Sequence, residues 1–126
     1  MNWLNIETNE NKTRFAPGEK VEGIVKWHLV RRLKSIELRL FWYAQGKGDQ
    51  DIGIIDSLTF DSPESDGQRD FSLRIPEGPY SFSGKLISLK WALEIVTDPS
   101  GKMAKLDIVV SPTQEEILLY GSEVSE

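Results

Sequence analysis

Apolar and polar residues alternate along most of this chain, and no long helical period interrupts them. A period of two puts successive side chains on opposite faces of a strand. The clearest run lies over 85–96, where Ile87, Leu89, Trp91, Leu93 and Ile95 share one parity and Ser88, Lys90, Ala92 and Glu94 the other. It reads as the longest strand, fed by an aromatic turn over 79–84. A second run sets Val21, Gly23, Val25, Trp27 and Leu29 against Glu22, Lys26 and His28, with Ile24 as the apolar exception on the polar face. A glycine inside a strand marks a bulge or a close backbone approach. A third alternates Ile36, Leu38, Leu40 and Trp42 with Glu37, Arg39, Phe41 and Tyr43. Shorter strands are predicted around Leu4 and Ile6, at Arg14 and Phe15, less regularly over 52–60, at Phe71, Leu73 and Ile75, and over 105–110.

Turn chemistry separates these runs. Pro17 and Gly18 suit the two central positions of a type II turn. Polar loops are expected over 46–51 and 61–67, and a hairpin turn over 98–101. The pattern changes after residue 110. Ser111, Pro112 and Gln114 have the order of an N-cap, a first-turn proline and a capping-box residue. A short helix is expected from there, although Ile117 to Tyr120 fit an edge strand equally well. The chain therefore divides into a sandwich over 1–111 and a C-terminal segment over 112–126. Seven or eight antiparallel strands of this kind imply an all-β, immunoglobulin-like β-sandwich, which buries one parity of each strand. Trp27, Trp42 and Trp91 all fall on the inward parity, and Trp3 on the outward one.

Composition narrows the function. The chain has 126 residues, 39% hydrophobic and 28% charged, which suits one folded domain of ordinary size. It has no cysteine, so disulfides, thiol catalysis and cysteine metal sites are excluded. No apolar run approaches the ~18 residues of a membrane span. No basic-then-apolar leader opens the sequence, and a cytoplasmic location is expected. A net charge of −5 argues against nucleic acid, and Arg31, Arg32 and Lys34 read as a solvated strand connection. His28 is the single histidine, too little for a histidine metal site or a serine triad. Asp49, Asp51 and their neighbours lack the ligand series of a calcium loop. Asp61, Glu64, Asp66 and Asp70 read as a solvated acidic loop rather than a glycosidase pair. No catalytic, metal or cofactor-binding residue is assigned.

The segment Phe15-Ala16-Pro17-Gly18-Glu19-Lys20-Val21-Glu22-Gly23-Ile24-Val25 resembles the start of an arrestin-like domain. Ile36 to Leu40 followed by Gly46, then Phe71-Ser72-Leu73-Arg74-Ile75-Pro76, Pro79-Tyr80-Ser81-Phe82-Ser83-Gly84 and Trp91-Ala92-Leu93-Glu94, are similar to its later segments and stand in the same order, over about residues 12 to 110. The resemblance implies a non-enzymatic adaptor or scaffold that binds other proteins. Arrestins pair two sandwiches and this sequence holds one, so a second copy or a second arrestin-like domain joins the expected partners. Ile24, Phe41 and Tyr43 are the candidate partner-binding residues, expected to form one apolar patch on adjacent strands, unless the C-terminal segment covers them. The alternative is a carbohydrate-binding module, which would need Trp3 and Tyr43 exposed and coplanar.

Overall fold

Two sheets face each other across one apolar core. The computed structural model describes residues 3–30, 32–46, 48–99 and 103–118. The smaller sheet has the order β1 (Trp3–Thr8), β3 (Lys20–His28), β6 (Asp66–Arg74), all antiparallel. The larger is built on β8 (Ser88–Asp98), β4 (Ser35–Gly46) and β5 (Asp49–Asp61), again antiparallel. β9 (Met103–Val110) pairs with the other side of β8 over Trp91 to Val96. Three two-residue strands complete the sheet: β2 (Arg14–Phe15) runs parallel to β9, β7 (Phe82–Ser83) antiparallel to the start of β8, and β10 (Ile117–Leu118) parallel to β7. The seven longer strands make the β-sandwich that the alternation implies.

Alternation marks the inward face of the central strands β3 and β8. Val21, Gly23, Val25 and Trp27 are buried, and so are Leu89, Trp91, Leu93 and Ile95. Gly23 has no room for a side chain, since a Cβ there would sit 2.0 Å from the Glu7 carbonyl oxygen on β1. The Pro17–Gly18 turn forms as expected: Gly18 has φ +82° and the Glu19 amide donates to the Ala16 oxygen at 3.1 Å. Trp27 closes one end of the core. Its indole N–H donates to the Glu64 oxygen at 2.8 Å, and Phe60 stacks on it at 6.2 Å.

Several expectations need correction. β8 is not the longest strand; β5 has 13 residues and β4 has 12, against 11. The Gly84 amide donates to the Ile87 oxygen at 2.9 Å, which bends the chain over 84–87, so β8 begins at Ser88 and Ile87 is exposed rather than inward. The polar loop expected over 46–51 is mostly strand, because β4 and β5 pair as far as Gly46 and Asp49. β6 likewise starts five residues before Phe71, at Asp66. Trp42 is half-buried, because its partner in the register is Gly53 on the outermost strand. Of the hairpin turn over 98–101, Ser100 and Gly101 lie outside the described residues, and so does Arg31 of the basic connection. Arg32 and Lys34 are exposed.

No helix forms over the described part of the C-terminal segment. The Ser111 hydroxyl, fully buried, bonds both the amide and the oxygen of Glu115, and Gln114 takes φ +62°. The serine that would cap a helix closes a turn instead. The Ile117 amide then donates to the Ser81 oxygen at 3.3 Å, which draws the segment into β10. Of the two readings of this stretch, the edge strand is found. Leu119 and Tyr120 lie outside the described residues.

Candidate interaction surface

The three residues expected to form one patch do not meet. Ile24 is on β3, in the small sheet, while Phe41 and Tyr43 are on β4, in the large one. Alternation ranks residues by face within a strand, but strands joined in sequence need not share a sheet. Ile24 is half-buried, and its register neighbours are Glu7 and Asp70. Beside it Lys26 reaches Glu7 at 3.4 Å. It stands alone among charges. Trp3 and His28 lie on the same outer face, stacked at 6.4 Å with 22° between their planes, and His28 is paired with Asp66. His28 is thus a sheet-surface residue. Trp3 and Tyr43 belong to different sheets, so they form no coplanar platform for a sugar.

Phe41 is a correction too. It was expected on the open polar face, yet only 9% of it is exposed. The β4–β5 register shifts between Leu40 and Phe41 and leaves Ile55 of β5 as the bulged residue, while β4 keeps an unbroken register with β8, so Phe41 still points outward and is covered there. The Tyr43 ring lies 5.9 Å from that of Phe41. Over Tyr43 sits the Lys105 ammonium, 4.3 Å from the ring centre and donating to the phenolic oxygen at 3.2 Å. Burial pushes the Lys105 ammonium down; bonds to Tyr43 and to Asp107 outweigh this and hold it above the usual lysine range. Arg39 bonds Glu37 at 3.0 Å, which raises its pKa against the cost of burial, and approaches Glu94 at 3.7 Å. Ala92 is fully buried although its parity is outward.

The C-terminal segment reaches this face through Glu116, which pairs with Lys90 and accepts from the Ser83 hydroxyl at 2.8 Å. Burial pushes the Glu116 carboxyl up, but the Lys90 ammonium and the Ser83 hydroxyl hold it below the usual carboxylate range. A polar pocket of about 380 Å³ lies here, with Arg14, Tyr43, Lys90, Asp107 and Glu116 among its walls. The outer face of β8 is therefore occupied by its own ion pairs.

The acids expected in one loop separate. Glu64 pairs with Arg69 at 3.1 Å, which lowers its pKa, Asp66 pairs with His28, and Asp66 and Asp70 both lie on β6. Among the described residues no three His, Cys, Asp or Glu side chains cluster as metal ligands, and no helix is long and apolar enough to cross a membrane.

The apolar surface that is open lies elsewhere. On β5, Ile52 and Ile54 are 59% and 58% exposed, and Ile55 is also exposed. In the register Ile52 is opposite Tyr43, and Ile54 opposite Phe41. Nearby, Gly46 at the end of β4 abuts Leu86 and Ile87, which are exposed as well; a Cβ on Gly46 would meet the Leu86 oxygen at 2.3 Å. Alternation missed this edge because Ile52-Gly53-Ile54-Ile55 breaks it. That break was the available signal: an apolar run between Asp51 and Asp56, out of step with either face.

The sandwich has counterparts among solved structures. The sporulation control protein Spo0M from Bacillus subtilis superposes with a TM-score of 0.64, at 20% sequence identity, over 87% of this chain and 49% of that one. The likeness is one of fold. The chain spans about half the length of Spo0M. A superoxide reductase (neelaredoxin) from Ignicoccus hospitalis aligns at a TM-score of 0.48 and 13% identity, over 86% of this chain and 80% of that one. No family model and no curated protein matches the sequence.

Proposed function

We propose that this chain is an arrestin-type sandwich that acts as a non-enzymatic adaptor or scaffold in the cytoplasm, binding other proteins. The arrestin-type segments lend support by doing structural work in their expected order. The Pro17–Gly18 turn delivers β3, and Gly23 admits β1 against it. The segment over 79–84 crosses to the large sheet: Ser81 is buried, its amide donates to the Val110 oxygen, and its hydroxyl accepts from the Val110 amide. The observation that carries the reading is the open apolar edge. Ile52 and Ile54 keep more than half of their surface in water on a strand that pairs on one side only among the described residues. Burying such surface is the usual drive for protein association.

The test is photocrosslinking in the native cell from a reactive residue placed in turn at Ile24, Tyr43 and Ile54. The same protein captured reproducibly from one of these positions supports the reading. Capture from none of them, or a turnover measured with the purified chain, overturns it.

A further inference from the structure

We infer that the free edge of β5 is a docking site for one extended segment of a partner protein, in which apolar residues alternate with lysine or arginine. The inference rests on the protein-binding reading above and names its surface and partner chemistry. A strand at a sheet margin presents unpaired backbone amides and carbonyls, a template for another strand. β5 is 13 residues long, pairs only with β4 among the described residues, and contains neither proline nor lysine, two residues that commonly blunt such edges.

Its two faces specify the occupant. Ile52 and Ile54 share the outward face with Tyr43 and Phe41, so a neighbouring strand would lay apolar side chains beside them. Asp51, opposite Ala44, and Asp56, moved opposite Leu40 by the bulge at Ile55, fall on the other face, and both are exposed. A docked strand would bring its alternate residues beside these carboxylates. Lysine or arginine there would be drawn in, and acidic residues repelled. Nothing basic on β5 offsets its acids, which at Asp51, Asp56 and Asp61 are exposed. The same charge disfavours a second copy of the chain as occupant. Two β5 strands side by side would bring acid strand to acid strand between molecules that each carry −5. The acids thus act as a selector: they reject self-pairing and leave the edge open to a basic strand.

The experiment uses the full chain, labelled for backbone amide spectra, and two eight-residue probe peptides, one alternating valine with lysine and one valine with glutamate. The lysine peptide should shift the amides of residues 50–57, slow their hydrogen exchange at least tenfold, and lose most of its affinity in 0.5 M salt; the glutamate peptide should do none of this. In the double variant D51K/D56K the preference should invert, with at least a tenfold loss for the lysine peptide. An unchanged thermal midpoint shows that variant to be folded; if it is not, the single variant Asp51→Asn should still weaken the lysine peptide severalfold. Equal response to both peptides, shifts confined to other surfaces, or no response to either peptide overturns the inference. So do shifts at residues 50–57 that depend on protein concentration alone, since the occupant would then be a second copy. The protein-binding reading fails separately: a partner crosslinked from Ile24 or Tyr43 keeps it even when β5 takes no strand.

Discussion

The large sheet is finished in opposite ways at its two margins. Beyond β8, short pieces from distant parts of the chain fill the edge. β7 takes Ser88 and Leu89 and β9 the six residues from Trp91 to Val96, while β2 and β10 pair in turn with β9 and β7. Side chains fasten these pieces: buried Ser81 bonds Val110, and Glu116 holds Lys90 and Ser83. At the other margin β5 runs for 13 residues with its isoleucines in water and no described strand beyond it. Two residues of pairing with a good anchor are enough to cap an edge. Among the described residues several such caps stand on one side and none on the other.

The largest effect should come from the strand that carries the closed margin. Trp91 is fully buried, and its indole N–H donates to the Pro79 oxygen at 3.0 Å, just ahead of β7. Trp91→Ala removes core volume and that bond together. It should cost about 3–5 kcal/mol and lower the thermal midpoint by roughly 10 °C or more. An unchanged midpoint would mean that the closed margin does not depend on β8 packing.

That strand was also the most legible part of the sequence, and the reason is physical. A strand with a neighbour on each side and a facing sheet has its inward parity buried whatever the strand order. Leu93 and Ile95 on β8, like Val21 and Val25 on β3, could be read directly. Phe41 could not, because parity gives the face and not what packs on it, and the Tyr43 ring lies beside Phe41 on the outer face. Nor could the separation of Ile24 from Phe41, which depends on which strands share a sheet. Ile117 looked equally like helix or strand until the Ser81 oxygen, 36 positions back, claimed its amide. Alternation is a local signal; edges, bulges and caps are settled by contacts distant in sequence.

A smaller effect should appear with pH at the closed margin. The Glu116 pKa is lower in the folded chain than its ordinary 4.5. Such a carboxylate contributes stability that is complete above about 4.5 and is lost as pH falls through the depressed folded value. The pair is partly open to solvent, so the gain is under ~1 kcal/mol. Amide exchange at Ile117, compared with the Glu116→Gln variant at each pH, should be slower in the native chain near neutrality by less than about fivefold. The two should converge in acid. A difference that persists at pH 2 would place the fastening elsewhere than the Glu116 carboxylate.

The smallest effect is expected at the bare margin. Ile54→Thr keeps the β-branch that suits a strand and replaces a methyl-bearing arm with a hydroxyl. On a covered strand that exchange would bury an unpaired polar group at a cost of roughly 1–3 kcal/mol. Ile54 already keeps 58% of its surface in water, so the hydroxyl stays solvated and little apolar contact is lost. The stability of the isolated chain should change by no more than about 0.5 kcal/mol, read from denaturant midpoints at constant slope. A loss above ~1 kcal/mol would mean that Ile54 is packed in the free protein, and the contrast between the margins would fail. A neutral result leaves an apolar residue whose presence folding does not require, which is what a surface kept for another chain looks like.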